Sequence, residues 1–320
     1  MFGPGFQSMD ATWLGLIAYV VITGLRSTVL KGLQIHGAAN PIGGDNPISF
    51  CNVFLISQLM VALALISLDR NRLRPDLQRM NPAARRWIVL DSFLGCFLAP
   101  MAFFLALEHL SVINQTLLFS LTLPASALVA RCWLREPLPK CFWWSSALIA
   151  AGLLLGKWLA PAAMGGDQAM GQLIGVAWAL LSVSAAAVRS SVRRKLLAYT
   201  LCRGVASGIP NLAGAVVFAL IALQQYGPEH FFYLSLWWVL GVIVVYGLTI
   251  CLGAEVFRLF AQRHFQVAQV GLAGSAALVV TVLSAALFLQ EPIAPATVVS
   301  LLLVLAGVSL RFVLPERGAS

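Results

Sequence analysis

Charge is what this sequence has least of. Only 10% of its 320 residues are Asp, Glu, Lys or Arg, where a soluble domain carries about a quarter. A chain this poor in charge and 60% hydrophobic cannot cover a water-facing surface. Catalytic signatures are missing too: HExxH, GxSxG and a phosphate-binding glycine loop do not occur, and no helix face gathers His or carboxylates. This argues against an enzyme. The six cysteines (Cys51, Cys96, Cys132, Cys141, Cys202, Cys251) stand singly, without CxxC spacing. That argues against a disulfide framework or a metal site, since a free Cys is an ordinary small buried hydrophobe. The N-terminal MFGPGFQSMD lacks a basic region, and no cleavage pattern follows the first apolar run. The run therefore reads as a retained span and not as a signal peptide.

What the chain has in abundance is apolar runs of about 20 residues, the length that crosses a ~30 Å hydrocarbon core at 1.5 Å per residue. Ten are expected, at about 11–30, 48–68, 87–107, 112–133, 141–158, 171–190, 204–224, 234–257, 267–289 and 294–313. Backbone polar groups in hydrocarbon must be satisfied within the segment, and uniformly apolar runs of this length are helices and not barrel strands. The net charge of +9 has a membrane explanation that removes the motive for nucleic-acid binding. Most basic residues fall in alternate links: Arg70, Arg72, Arg74, Arg79, Arg85 and Arg86; Arg131, Arg135 and Lys140; Arg189, Arg193, Arg194, Lys195 and Arg203; Arg258 and Arg263; Arg311 and Arg317. Lys31 and Lys157 fall on the other side, and Arg26 lies within the first run. The positive-inside bias then predicts an inner-membrane, multi-pass protein with both termini cytoplasmic.

The stretch WLREPLPK (133–140) is echoed by LFLQEPIAP (287–295), with Glu136 and Glu291 155 positions apart. The same shift lays His109 on His264, Val112 on Val267, Ser120 on Ser275, Pro137 on Pro292, Ser145 on Ser300 and Ala151-Gly152 on Ala306-Gly307. Two copies of one unit are expected, 11–158 and 171–313. Five crossings per copy is odd, so the second would enter from the opposite side. The expected fold is thus all-α, ten transmembrane helices as two inverted five-helix repeats. Such pairs characterise secondary transporters, whose halves meet at a midplane site.

The run INQTLLFSLTLPASALVARCWLREPLPKCFWWSSALIAAGLLLG (113–156) resembles the core of the EamA domain of the drug/metabolite transporter superfamily. That core has a short polar start, a mid-span Pro, a Gly-Glu helix end and an Ala-Gly pair in the next helix. VGLAGSAALVVTVLSAALFLQEPIAPATVVSLLLVLAGVSLR (270–311) resembles it again, and GQLIGVAWALLSVSAAAVRSSVRRK has the family's Gly start, central Trp and basic end. Where the family has Gly before Glu, this chain has Arg135 and Gln290; the mid-span Pro is Pro124 in the first copy and Val279 in the second. The resemblance implies a permease-like metabolite carrier, working outward.

Each intramembrane polar residue is a site candidate, because its burial is costly. Arg26 reads either as a cationic contact for an anionic or zwitterionic substrate in a central cavity or as a side chain snorkelling to the headgroups beside Lys31. Tyr19, Ser120, Trp178, Ser182 and Tyr246 lie deep enough to line a path, or to be satisfied by neighbouring helices. Asn114 and Gln269 correspond under the shift and open the fourth and ninth spans. Glu255 and Arg258, three apart, form a gate or a helix-end ion pair. Asp91 reads as a first-turn carboxylate facing its helix dipole. Pro100, Pro124 and Pro210 should kink their spans. No acidic residue lies in the first span and no carboxylate pair near the midplane, so proton coupling through a central acid lacks its usual residue.

These readings converge on a secondary transporter moving a small polar or amphipathic metabolite across the cytoplasmic membrane by alternating access. The partners are the bilayer and a small molecule, with no cofactor, no metal and no nucleic acid. A homodimer is left open, because no single GxxxG face dominates. The competing class is a non-transporting polytopic protein, either an intramembrane enzyme or an assembly partner.

Overall fold

The computed structural model describes residues 5–42, 46–138, 141–158, 166–265 and 267–313; Lys140 and Arg317 lie outside them. The chain forms α1 (Gly5–Ala39), α2 (Phe50–Leu68), α3 (Arg70–Arg79), α4 (Pro82–His109), α5 (Val112–Leu134), α6 (Phe142–Trp158), α7 (Gly166–Leu197), α8 (Gly204–Tyr226), α9 (237–264), α10 (Val267–Phe288) and α11 (Pro295–Val313). There is no strand among the described residues. Each expected apolar run is a helix. Among the described residues seven are long and apolar enough to cross a membrane, and α6, α10 and α11 contain shorter apolar stretches. Exposed Trp143, Trp144, Trp237, Leu287 and Phe288, each more than 70% accessible, suit a surface bathed in hydrocarbon.

Helix starts follow local chemistry. The hydroxyl of Ser49 accepts from the Asn52 amide, Asn81 Oδ1 from Ala84 at 2.7 Å, and Ser111 Oγ from Asn114 at 3.2 Å, each satisfying an amide of the first helical turn. Two features differ from expectation. α1 is 35 residues long, about 52 Å at 1.5 Å per residue, and so overruns a bilayer. The link after Leu68 contains the extra helix α3, held by two carboxylates: Asp76 Oδ2 accepts from Cys202 N at 2.8 Å and Asp69 Oδ2 from Gly204 N at 3.1 Å. Both anions sit at the start of α8, where the helix dipole favours them.

Several rods are interrupted. α4 contains a π-turn at Phe93–Leu98, α8 opens with one at Gly204–Gly208, α9 contains one at Tyr246–Leu252, and α5 breaks at Ser120–Leu121 before ending in a further π-turn. Pro100, Pro210 and Pro124 follow three of these breaks. Proline lacks the amide that would bond the carbonyl four residues back. For Pro100 that carbonyl is Cys96 O, and the Gln58 side chain donates to it at 2.6 Å.

The packing repeats itself under the 155-residue shift. α1 packs on α9 and α10, as α7 packs on α4 and α5; α2 packs on α8, and α6 on α11. Where α6 crosses α11 the contact is reciprocal: a Cβ on Gly152 would lie 2.9 Å from Ser300 O, and one on Gly307 would lie 2.8 Å from Ser145 O. Ser145 Oγ donates to Gly307 O at 2.6 Å. At the two Glu-Pro corners, Arg135 and Gln290 both adopt the left-handed conformation, with φ of 57° and 54°. Glu136 N donates to Ala130 O at 3.4 Å and Glu291 N to Ala285 O at 3.3 Å, the same helix-ending turn.

Candidate functional site

A cavity of about 920 Å³ enters the bundle from the end formed by the α7–α8 and α9–α10 links, here termed the basic end. α1 contributes Tyr19, α5 Ser120 and Thr122, α7 Arg193 and Arg194, α9 Arg258, and α10 Gly274 and Ser275; Arg203 precedes α8. Among the described residues, four arginines and no carboxylate line it. Its serine hydroxyls donate inward: Ser120 to Leu117 O and Ser275 to Leu272 O, both at 2.6 Å, Ser190 to Ala187 O at 2.7 Å, and Ser207 to Glu255 Oε1 at 3.3 Å. The Thr122 hydroxyl has no partner.

Behind the cavity wall lies an ionic network. Asp91 is fully buried and accepts from Arg189 Nε at 3.0 Å and Arg193 Nε at 3.2 Å. Gly95 makes room for this, since a Cβ there would stand 1.8 Å from Arg189 Nε. Glu255 holds Arg258 through two bonds, Nε to Oε2 at 3.1 Å and Nη2 to Oε1 at 2.6 Å, and Arg194 pairs with Glu136. The expectation for Asp91 is corrected: α4 begins at Pro82, so Asp91 lies past the first turns and serves two guanidinium groups. Arg189 and Arg193 belong to α7 itself and not to the link. Their i, i+4 spacing on a continued helix face was the available signal.

Three of the candidate residues read from the sequence line the cavity: Tyr19, Ser120 and Arg258. Glu255 stands behind it, and Arg26 keeps accessible surface beside Tyr246 and Cys251, with Glu255 within electrostatic reach. Tyr246 is 1% exposed in the core, and its hydroxyl lacks a hydrogen bond of full geometry. Ser182 donates to Ala99 O at 3.0 Å, and Trp178 packs beside Ala106, Leu110 and Ala179; both join α7 to α4 and do not line the cavity. Asn114 and Gln269 are exposed at the starts of α5 and α10. Thr122, Arg193, Arg194 and Arg203 are cavity residues that sequence reasoning did not single out.

At the opposite end, hydrogen bonds tie the described helices together. Glu291 Oε1 accepts from Val112 N at 2.7 Å and Oε2 from Ile113 N at 3.1 Å, fastening the α10–α11 corner to the start of α5. Lys31 donates to Leu107 O, and Gln34 Nε2 donates to Phe104 O at 2.9 Å, tying α1 to α4. Thr28 and Ser284 share a 2.7 Å hydrogen bond between α1 and α10. Among the described residues no group of three or more His, Cys, Asp or Glu could hold a metal ion.

This is the architecture of a multi-pass helical membrane protein with a cavity open at one end. No family model matches the chain. It is 28% identical over 310 residues to a Synechocystis sp. protein named "Uncharacterized transporter sll1164", covering 92% of this chain and 84% of that one. A crystal structure described only as that of a protein matches with a TM-score of 0.59 at 17% identity, over 94% of this chain and 96% of the other. At that identity the likeness concerns fold alone.

Proposed function

We propose that the chain is a secondary transporter with ten membrane-spanning helices in two inverted repeats, of the EamA type within the drug/metabolite transporter superfamily. It carries a small polar or amphipathic metabolite outward across the cytoplasmic membrane by alternating access. The observation that carries this reading is the cavity open at the basic end and fastened at the other by Glu291. A channel would open at both ends. A carrier must be closed at one. Support also comes from the paired packing: the Gly152–Gly307 crossing and the Glu136 and Glu291 corners repeat under one shift, as two halves in opposite orientation require. With the positive-inside bias, the basic end is cytoplasmic and the cavity faces inward.

The Synechocystis relative, similar over most of both chains, is named as a transporter, which favours transport over an assembly role. Purified protein in liposomes preloaded with a mixed metabolite pool should release at least one compound faster than empty liposomes do. Sealed vesicles that release nothing from every pool would end the transport reading. Reporter fusions after Leu68 and after Leu197 should both read cytoplasmic; an external signal at either would break the inverted topology.

A further inference from the structure

We infer that the cavity takes an organic anion, a carboxylate or a phosphate ester carrying an apolar body. This inference rests on the reading of the cavity as the transport path and names its substrate class. Arg193, Arg194, Arg203 and Arg258 all reach the cavity, and no carboxylate does. The positive-inside bias explains basic residues in loops, yet Arg193, Arg194 and Arg258 belong to helices, each fixed by an ion pair to Asp91, Glu136 or Glu255. Asp91 is shared with Arg189. Arg189, Arg193, Arg194 and Arg258 therefore face Asp91, Glu136 and Glu255, four arginines against three carboxylates before a substrate arrives. Arg203 forms no ion pair among the described residues, the carboxylates of Asp76 and Asp69 being engaged by the amides of its neighbours Cys202 and Gly204. The guanidinium fork matches a carboxylate or phosphate in two parallel bonds and accepts nothing.

The hydrogen-bonding inventory points the same way. The four serines already donate to carbonyls or to Glu255, and the other donors on the wall are guanidinium N–H groups and the hydroxyls of Tyr19 and Thr200. Tyr19, on the inner wall, lies within electrostatic reach of Arg258. A cation would meet net positive charge there and no carboxylate on the wall. An anion would be met by Arg258 and Tyr19 at the inner end, with Arg203 nearer the mouth. The rest of the lining is largely apolar, including Phe119, Leu123 and Leu278, which suits an apolar body, and about 920 Å³ is within the range of small-molecule sites.

The test uses four probes with one aryl body: benzoate, phenyl phosphate, benzamide and benzyltrimethylammonium. Titrated against the purified full-length protein, benzoate or phenyl phosphate should raise the melting temperature in a saturable way, by about 2–4 °C well above the dissociation constant. Which of the two binds more tightly separates a carboxylate from a phosphate ligand. Benzamide and benzyltrimethylammonium should give no shift. Arg203→Gln should weaken the anion about tenfold, the loss of one charged hydrogen bond, and Arg203→Lys should recover part of it. No shift with either anion, or an equal shift with benzamide or the quaternary ammonium, overturns the assignment. Liposome flux separates the two readings. Release of only neutral or cationic compounds would keep transport and sink the anion; a saturable benzoate shift with no flux of any compound would keep the anion site and sink transport.

Discussion

The carboxylate of Glu291 caps the helix that Val112 begins, 2.7 Å from its amide, although the two residues lie 179 positions apart. One side chain thus stabilises a helix start and fastens two helices together. The residue 155 positions earlier, Glu136, pairs with Arg194 instead. The amides equivalent to those of Val112 and Ile113 belong to Val267 and Ala268, beside the open end. The two Glu-Pro corners are therefore fastened differently, one to the start of α5 and the other to α7 through Arg194, and on the proposed reading as two like halves this is the asymmetry expected of a carrier open to one side.

Replacing Glu291 should loosen the closed end first. Losing a cap costs about 1 kcal/mol, or about a fivefold shift between closed and open populations. In Glu291→Ala, a cysteine placed at Ile113, only 3% exposed in the parent, should react with an impermeant maleimide from the end opposite the basic one several times faster than in the parent. An unchanged labelling rate would mean that Lys31, Gln34 and Thr28 hold the closure without it.

The crossing of α6 and α11 depends on two glycines. At Gly152 an added Cβ would meet a backbone oxygen, Ser300 O at 2.9 Å, which cannot rotate away as a side-chain tip can. Gly152→Ala and Gly307→Ala should each force the helices apart and cost about 1–3 kcal/mol, read as a lower melting temperature in detergent. Gly241, with nothing within 4 Å of an added Cβ, should accept alanine with no loss.

Helix positions were legible in the sequence because each run carries its own apolar length and most carry a capping or proline mark. The corners were legible for a different reason: a turn that needs one residue at positive φ leaves the same Glu-Pro trace twice. The structure also accounts for the departures at Arg135 and Gln290. Both adopt φ above 50°, a conformation glycine enters without the ~1 kcal/mol penalty of a side chain, which is why a Gly is the residue expected at such a corner. What stayed hidden depends on tertiary pairing. Asp91 meets Arg189 across 98 residues, and nothing in the first run said that Tyr19 would border a cavity while Trp178, at similar depth, would pack against α4. α3 was hidden because its four arginines read as a loop charge run when in fact they belong to a helix docked by Asp69 and Asp76.

Asp91 sits where a carboxylate is dispensable to neither of its partners. Asp91→Ala would leave Arg189 and Arg193 facing each other without the carboxylate to which both donate, with Glu255 the remaining anion within electrostatic reach. Since the two side chains keep 27% and 30% of their surface, the penalty should fall below the 3–5 kcal/mol of a fully buried pair, at about 2–3 kcal/mol. The variant should melt several degrees lower, and Asp91→Ala with Arg189→Gln should regain part of the loss. A double variant as unstable as the single one would show that Asp91 matters for something other than this charge balance.

Asp76 gives the docking of α3 a pH dependence. The Cys202 amide donates to its carboxylate at 2.8 Å, and that bond, with Arg79 and Arg72 nearby, holds its pKa below the ordinary carboxylate value of 3.8. A group whose folded pKa is depressed contributes in full above its unfolded pKa, and the contribution is lost as pH falls through the folded one. The clamp on the α7–α8 link should therefore be intact at neutral pH and release only below about pH 4. Hydrogen exchange at the Cys202 amide, corrected for intrinsic rate, should show constant protection from pH 7 to 5. In Asp76→Asn, which removes the charge but keeps an acceptor, protection should be lower across that whole range. Equal protection in the two proteins would place the clamp on Asp69 alone.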